Sequence, residues 1–412
     1  MVVLGETWGG KSWYTTTKEL QLASLELCIA CRNYQTVHLN VDAHIPRRLL
    51  AAADAPPPHP KRLCGTRVPR LRARRVTWNM QTAAELRNPI FAMTDVDWLE
   101  FSGIFEGSLE AVEWPQRLKT IKFCETSPFN QPIDLVKWPA SLQDLDFGKR
   151  FNQPIEGVCW PSSLRVLYLG SRFNQPIAGA ILPATLLLLA FGQDFDHPIE
   201  EVLWPATLDQ LIFEIGSLFN HPIEDVAWPP SLRYLTFGQF FNQPVARVKF
   251  PASLQQLCFG WYFNQPVEGT VWPNSLQRLV LGRWFNQPVD NVRWAASLEE
   301  ICFGWYENRG DNRMVMYSKF NHRIGSSIWP PSLRRLTLGH KFRQSLQGLG
   351  TWMPNLETLC LLDYDSGDDS LLRGIKWPKG LRELTVFRDS DLEGVEIPST
   401  VGVLHVDNVS FR

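Results

Sequence analysis

The stretch Phe129-Asn130-Gln131-Pro132-Ile133 decides the architecture of this chain, because it returns almost letter for letter along the sequence. The closest copies begin at Phe151, Phe173, Phe241, Phe263 and Phe285, and looser copies begin at Phe105, Phe195, Phe219, Phe320 and Phe342. From Phe129 onward, most neighbouring copies start 22 residues apart. A fixed period in this range predicts a solenoid, in which a repeat buries its apolar face only by stacking on its neighbours.

Each repeat carries two apolar triplets with the same internal spacing. In the copy that begins at Phe129, the first triplet lies within Ile133–Trp138 and the second within Leu142–Phe147. The last two members of each triplet flank one outward residue, and this alternation is the period of a β-strand. The pattern therefore predicts a strand at Leu145–Phe147 and a second strand near Val136–Trp138.

Proline, glycine and asparagine recur at fixed places between the triplets. Pro132 and Pro139 lack main-chain N–H groups, so we do not expect a helix on the return path of each repeat. Gly148 permits a tight corner after the second triplet. Asn130 and its equivalents would stack, and their amides are expected to satisfy backbone groups of the turns.

A tryptophan also recurs at one repeat position, and its register predicts a core or strand-edge location. The members of this set are Trp114, Trp138, Trp160, Trp204, Trp228, Trp272, Trp294, Trp329 and Trp377.

The combined pattern, F-N-Q-P-I followed by W-P-x-S-L-x-x-L-x-F-G, resembles the FNIP-repeat family, whose units are similar to leucine-rich repeats in their L-x-x-L-x-L segment. The resemblance covers roughly residues 83–412, or about 13 coils. It implies a mainly β protein, a parallel β-solenoid of leucine-rich-repeat-like coils of about 22 residues. Many FNIP-repeat proteins carry an F-box, and this resemblance implies a substrate-receptor subunit of a ubiquitin ligase. The F-box in residues 16–50 would be degenerate, because this segment lacks the Leu-Pro opening and the sustained helical leucine pattern of that domain.

The first 82 residues break the period, and we expect a small irregular α/β region there. Residues 1–51 are predicted to contain one helix at Leu20–Cys31 and one strand near Val37–Val41, and could cap the solenoid. Residues 52–82 form a Pro-rich, basic linker that runs into the first coil, and residues 83–412 form the solenoid.

The segment Arg47–Arg75 contains nine arginine and lysine residues against one aspartate. A block of this kind serves as a nuclear-import signal, as a phosphate-contacting arm or simply as a solvated linker. No interleaved aromatic residues or nucleic-acid fold signature accompany the charge, so a solvated linker is favoured. Nucleic acid is expected as a partner only if this segment binds it.

Composition favours an intracellular, cytoplasmic protein, with the nucleus as the alternative location. The chain has 412 residues and a formal net charge of −1, so it requires no polyanionic partner. Its cysteines are scattered, and free thiols suit a reducing compartment. The start of the chain lacks the apolar segment of a signal peptide, and the apolar run 178–192 is too short to span a bilayer. We expect a monomer without membrane contact.

Candidate binding residues are aromatic side chains that follow the corner glycines of the later coils. Other coils place polar residues at these positions, so the repeat does not require aromatic ones there. The set comprises Phe240, Trp261, Tyr262, Trp284, Trp305 and Tyr306. Stacked in one band next to the insertion Glu307–Lys319, these residues form either a binding surface or a protective stack over the corner.

No arrangement of residues predicts catalysis, a cofactor or a metal. His197 and His221 replace glutamine in neighbouring coils near Asp196, and we expect ordinary hydrogen bonds from them. Cys28 and Cys31 lack a second pair at zinc spacing.

We therefore predict a scaffold, not an enzyme, that binds an unknown protein partner through an exposed solenoid edge. The ubiquitin-ligase receptor and the nucleic-acid-associated protein are the alternatives. A repeat array without a dedicated partner is a further interpretation that the sequence leaves open.

Overall fold

The structure is a computed structural model that describes residues 2–4, 38–42, 75–79, 83, 96–308, 314–325, 327–339, 341–361, 372–386, 392 and 394–406. The fold is a parallel β-solenoid of about 13 turns, as the repeat period predicts. The described residues contain very little helix, namely the short helix α1 at Leu349–Trp352. The chain divides into two compact units, Met1–Leu186 and Leu187–Arg412.

In the first unit, an antiparallel pair is followed by parallel strands. The strands are β1 (Val2–Leu4), β2 (His38–Asp42), β3 (Arg75–Asn79), β4 (Trp98–Phe101), β5 (Thr120–Phe123), β6 (Asp144–Asp146) and β7 (Val166–Tyr168). Strands β1 and β2 pair antiparallel, and each strand from β2 to β7 pairs parallel with the next. Strand β2 confirms the strand predicted near Val37–Val41.

In the second unit, parallel strands are interrupted by one hairpin. The strands are β8 (Leu188–Phe191), β9 (Gln210–Phe213), β10 (Tyr234–Thr236), β11 (Gln256–Cys258), β12 (Arg278–Val280), β13 (Glu300–Phe303), β14 (Trp305–Asn308), β15 (Met314–Tyr317), β16 (Arg335–Leu338), β17 (Thr358–Leu361), β18 (Glu383–Val386) and β19 (Val403–Val406). Among the described strands, β14 and β15 pair only with each other, antiparallel. Strand β13 pairs with β16, so the parallel ladder continues past the hairpin.

Of the two strands predicted in each repeat, only one forms. The second triplet gives the strand, at β6 and its equivalents, as predicted. The predicted strand near Val136–Trp138 is wrong, since these residues form no strand. Val136 instead donates its N–H to the carbonyl of Ile133, 3.2 Å away, in a local turn. Pro139 follows directly and offers no N–H to a neighbouring coil, which disfavours a ladder there. The coil with Ala295 at this position forms no strand there either.

The core consists of side chains stacked in register. Phe129 lies face to face with Phe151, with ring centroids 6.1 Å apart, and both rings are fully buried. Trp138 stacks in the same way on Trp114 at 6.1 Å. The serine of the P-x-S-L segment ties the coils together, as Ser275 donates to the carbonyl of Leu254 at 2.6 Å.

The corner after the strand depends on glycine. Gly170 has φ +86°, and a Cβ there would collide with the carbonyl oxygen of Gly148 in the preceding coil. Backbone therefore approaches backbone too closely for any side chain.

Several predictions fall outside the described residues. They are the helix Leu20–Cys31, the F-box in residues 16–50, most of the basic segment Arg47–Arg75 and most of the linker 52–82. The boundaries predicted at residues 51 and 82 stay predictions.

Candidate interaction surface: an exposed ladder at one edge of the second unit

One position in the second unit, the residue directly before the repeat phenylalanine, carries exposed apolar side chains in consecutive coils. We call Leu218, Phe240, Tyr262 and Trp284 the edge ladder. Their side chains are 45%, 36%, 40% and 43% exposed. The phenylalanines that follow each of them, such as Phe241, are fully buried. The two neighbours therefore have opposite environments, and the edge ladder is not part of the core.

Main-chain hydrogen bonds between coils hold the edge ladder in register. The N–H of Tyr262 donates to the carbonyl of Gln239 at 2.8 Å, and the N–H of Trp284 donates to the carbonyl of Trp261 at 2.7 Å. Lys319 repeats the bond in the next coil, where it donates to the carbonyl of Arg283 at 2.7 Å. The exposed rings are thus attached to a backbone that is fixed on both sides.

The rings of the edge ladder contact each other. The ring centroids of Phe240 and Tyr262 are 5.3 Å apart with an interplanar angle of 24°, and those of Tyr262 and Trp284 are 5.6 Å apart at 38°. On the far side of Trp284, the Nζ atom of Lys319 lies 4.9 Å from the ring centroid. This distance is typical of a cation–π contact. Neighbouring groups therefore cover the facing sides of these rings, while each side chain stays partly exposed.

Trp261 lies one position further from the repeat phenylalanine and has a different role. It is half-buried, in the row of Gln239 and Arg283, and the guanidinium carbon of Arg283 is 5.7 Å from its ring centroid. Its indole nitrogen is buried and has no hydrogen-bond partner among the described residues. Trp261 thus lies in the row next to the edge ladder, in cation–π contact with Arg283.

The structure places Trp305 and Tyr306 in the hairpin, outside the edge ladder. They begin β14, where Trp305 pairs with Tyr317 and Tyr306 with Met316. The insertion predicted at Glu307–Lys319 therefore starts earlier, at Trp305. Lys319 occupies the ladder position in this coil. The hairpin ends at Tyr317, two residues before Lys319, so its base adjoins the Trp284 end of the edge ladder.

Leu218 belongs to the edge ladder, although the set predicted from aromatic residues did not include it. In this coil the chain runs Glu214-Ile215-Gly216-Ser217-Leu218 before Phe219, with two additional residues. Buried Ser217 caps the corner, where its hydroxyl accepts the N–H of Phe219 at 3.3 Å. Counting backward from the phenylalanine does find Leu218. Ile215, which is also exposed, enlarges the apolar surface at this end.

His221 and His322, at the glutamine position, make the kind of hydrogen bond expected there. His221 Nε2 lies 3.1 Å from the carbonyl oxygen of Asp196, the same kind of contact that Gln243 Nε2 makes with Asn220. Within the described ranges, no group of three or more His, Cys, Asp or Glu side chains is arranged to hold a metal ion.

Cysteines on the outward face of the strands are free thiols in the second unit. Cys258 and Cys302 flank Val280 in the ladder of β11, β12 and β13. Burial raises the pKa of the Cys302 thiol well above its ordinary value and raises the pKa of Cys258 as well. Both thiols are thereby kept protonated and unreactive.

No helix within the described part of the chain is long and apolar enough to cross a membrane.

Comparison with known proteins matches the FNIP repeat model to residues 129–172 and 219–262. The search of curated protein sequences found no match. Among solved structures, the chain is similar to CroV588, described as a novel circular LRR protein, with 29% identity and a TM-score of 0.63. That match covers 82% of this chain and 50% of CroV588, so the chain spans half the length of that protein.

Two further solved structures show lower similarity. A TLR13–ssRNA13 complex has 12% identity, a TM-score of 0.49, and coverage of 81% of this chain and 60% of the other. An internalin (InlF) from Listeria monocytogenes has 13% identity, a TM-score of 0.41, and coverage of 76% and 85%.

The matched segments contain the repeat phenylalanines, the stacked asparagines and the W-P-x-S-L segments described above. These two segments are therefore similar to FNIP repeats, and the fold is similar to that of a leucine-rich-repeat protein.

Proposed function

We propose that this chain is a non-catalytic scaffold that binds a protein partner through the edge ladder. The observation that carries the proposal is the exposure of three consecutive aromatic rings, Phe240, Tyr262 and Trp284, at a position that the fold does not need to be aromatic. Equivalent positions in the first unit hold Arg150 and Arg172. Aromatic residues at this position are therefore specific to these coils, and the repeat does not require them.

A stack that only protects the corner would be expected to bury its rings. Each ring of the edge ladder keeps more than a third of its surface exposed. Contiguous exposed apolar surface on a monomer is a usual mark of an interaction site. Tyrosine and tryptophan are also enriched among the residues that dominate binding energy in protein interfaces.

The rigidity of the edge ladder supports binding as well. Its residues are anchored by hydrogen bonds between coils, so little conformational entropy is lost when a partner covers them. Trp261 lies in the row next to this surface, and Trp305 and Tyr306 lie at the start of the adjoining hairpin. We include these three residues in the proposed binding region.

The test is a quantitative affinity capture from cell extract with the full chain as bait. A triple variant, Phe240→Ser with Tyr262→Ser and Trp284→Ser, is compared with a matched control, Leu203→Ser with Val271→Ser and Ile328→Ser. The control removes three strongly exposed apolar side chains that lie elsewhere in the same unit. We expect at least one protein to be retained by wild type and control and lost from the edge variant. Equal capture by all three proteins would reject the edge ladder as the binding surface.

A further inference from the structure

The spacing of the exposed rings matches the pitch of an α-helix. Consecutive ring centroids in the edge ladder are separated by 5.3 and 5.6 Å. A helix rises about 5.4 Å per turn, so side chains on one stripe of a helix would stay in step with the rings. An extended strand repeats its same-side residues every ~6.7 Å and would be out of step by about 2.5 Å after two intervals. The ladder spacing therefore favours a helix that lies along it.

The contact geometry points to side chains that wedge between ring edges. Phe240 and Tyr262 are stacked, Tyr262 and Trp284 are tilted by 38°, and Lys319 lies over the ring of Trp284. Planar ligands such as nucleobases need a free ring face for stacking, and this surface offers ring edges instead. Aliphatic side chains from successive helical turns suit the shallow gaps between such edges. This is the helix-in-groove mode of recognition.

Charge at the two ends of the edge ladder gives the helix a direction. The same repeat position holds Asp194 one coil before Leu218 and Lys319 one coil after Trp284, and both charged residues are exposed. The N–H of Leu218 donates to the carbonyl of Gln193 at 2.8 Å, which places Asp194 beside the first ladder residue. No carboxylate of the described residues forms an ion pair with Lys319. The apolar strip thus runs from an acidic residue to a basic one.

A helix carries partial positive charge at its N-terminus and partial negative charge at its C-terminus. Its dipole is favourable here only when the N-terminus lies at Asp194 and the C-terminus at Lys319. Acidic side chains in the last helical turn would add ion pairs with Lys319.

We infer that the edge ladder binds an amphipathic α-helix of a partner protein, with apolar residues at i, i+4, i+7 and i+11 and an acidic C-terminal end at Lys319. The inference rests on the proposed function, and it adds the partner's secondary structure, orientation and charge. The four apolar positions correspond to the four members of the edge ladder.

The test uses two peptide libraries displayed on phage and selected on the purified full chain. In one library, positions i, i+4, i+7 and i+11 are randomised in a helical Ala/Glu/Lys host whose last turn is also randomised. In the other, the same number of positions is randomised at i, i+2, i+4 and i+6 in a Ser/Thr host of equal length. Selection is repeated on the edge variant and on the Leu203/Val271/Ile328 control.

We expect the helical library to enrich at least tenfold more on wild type and control than on the edge variant. The enriched peptides should have apolar residues at the four positions and Asp or Glu in the last turn. Lys319→Glu should reverse this preference to Lys or Arg, and Lys319→Gln should abolish it without reversing it.

Enrichment from the extended library alone, or helices without the acidic end, would overturn the inference and leave the proposed function standing. Absence of enrichment from both libraries would also overturn it. If the edge variant and wild type in addition capture the same proteins from extract, the proposed function fails too.

Discussion

Asn242 donates its main-chain N–H to the side-chain oxygen of Asn220, one coil earlier, at 2.9 Å. The side-chain oxygen of Asn242 in turn accepts the N–H of Asn264 at 2.9 Å and the side-chain amide of Gln265 at 3.2 Å. Each asparagine therefore replaces a missing backbone partner in a turn that belongs to no strand. This chain of bonds explains why Asn and Gln are so consistently repeated.

Replacing Asn242 with alanine should lower the free energy of unfolding by about 1–3 kcal/mol, because the N–H of Asn264 loses its acceptor. Gln243→Ala is the control, since it removes donors but leaves no backbone N–H unpaired. Its cost should be at most about 1 kcal/mol. Urea unfolding of the full chain measures both. Equal losses would show that the asparagine oxygen has no special role.

Two glycines in the first unit allow the cost of backbone strain to be measured apart from the cost of a steric clash. Gly157 has φ +77° and open space where a Cβ would lie, whereas Gly170 has φ +86° and the backbone oxygen of Gly148 in the place that a Cβ would need. Gly157→Ala should cost about 1–2 kcal/mol from the left-handed conformation alone. Gly170→Ala should cost a further ~1–3 kcal/mol, because the coils must move apart. A larger drop in the urea midpoint for Gly157→Ala than for Gly170→Ala would contradict this prediction.

Much of the fold could be predicted from the sequence, because the same spacing of apolar, proline, glycine and asparagine residues recurs in many coils and defines the register of each. The strand at Leu145–Phe147 and the bonding role of Asn130 are both confirmed. The strand predicted near Val136–Trp138 is wrong, because apolar spacing indicates which side chains face inward but not whether backbone groups find partners. Here the N–H of Val136 is used in a local turn with the carbonyl of Ile133, and Pro139 offers no N–H.

The candidate surface was predictable only in part. The position of Phe240, Tyr262 and Trp284 follows from the repeat, but their partial exposure depends on how the rings of neighbouring coils pack. The hairpin that begins at Trp305 was not foreseen, because its pairing is antiparallel and independent of the repeat period. Leu218 could have been found from register alone.

Two tryptophans in the second unit should respond very differently to truncation. Trp294 is 9% exposed and stacks between Trp272 and Trp329, at centroid distances of 6.4 and 5.3 Å. Trp294→Ala should cost about 3–5 kcal/mol, as expected for a large buried side chain. Trp284→Ala should cost much less, since 43% of its surface is exposed. Similar urea midpoints for the two variants would mean that Trp284 is a structural residue.

Two carboxylates of the first unit should change stability with pH in opposite directions. Burial raises the pKa of Asp146, despite the hydrogen bond from Gly148 N and the nearby Lys122. Its ionised form is therefore less favourable in the folded chain than in the unfolded chain. The hydrogen bond and charge of Lys149, 2.7 Å away, lower the pKa of Glu125, so its ionised form favours folding.

At pH 7, Asp146→Asn should therefore raise the urea midpoint relative to wild type, since the amide oxygen can still accept the Gly148 N–H and no charge is buried. Glu125→Gln should lower it slightly, because an exposed ion pair contributes little. Below the pKa of a free aspartate carboxyl group, about 4, Asp146 is protonated in both the folded and the unfolded chain. Glu125, whose pKa is lowered in the folded chain, becomes protonated in both states only at a lower pH, below that lowered value. The pH-dependent differences in urea midpoint between each variant and wild type should then disappear. A midpoint gain for Asp146→Asn that is the same at pH 7 and pH 3 would show that burial of the Asp146 charge is not its cause.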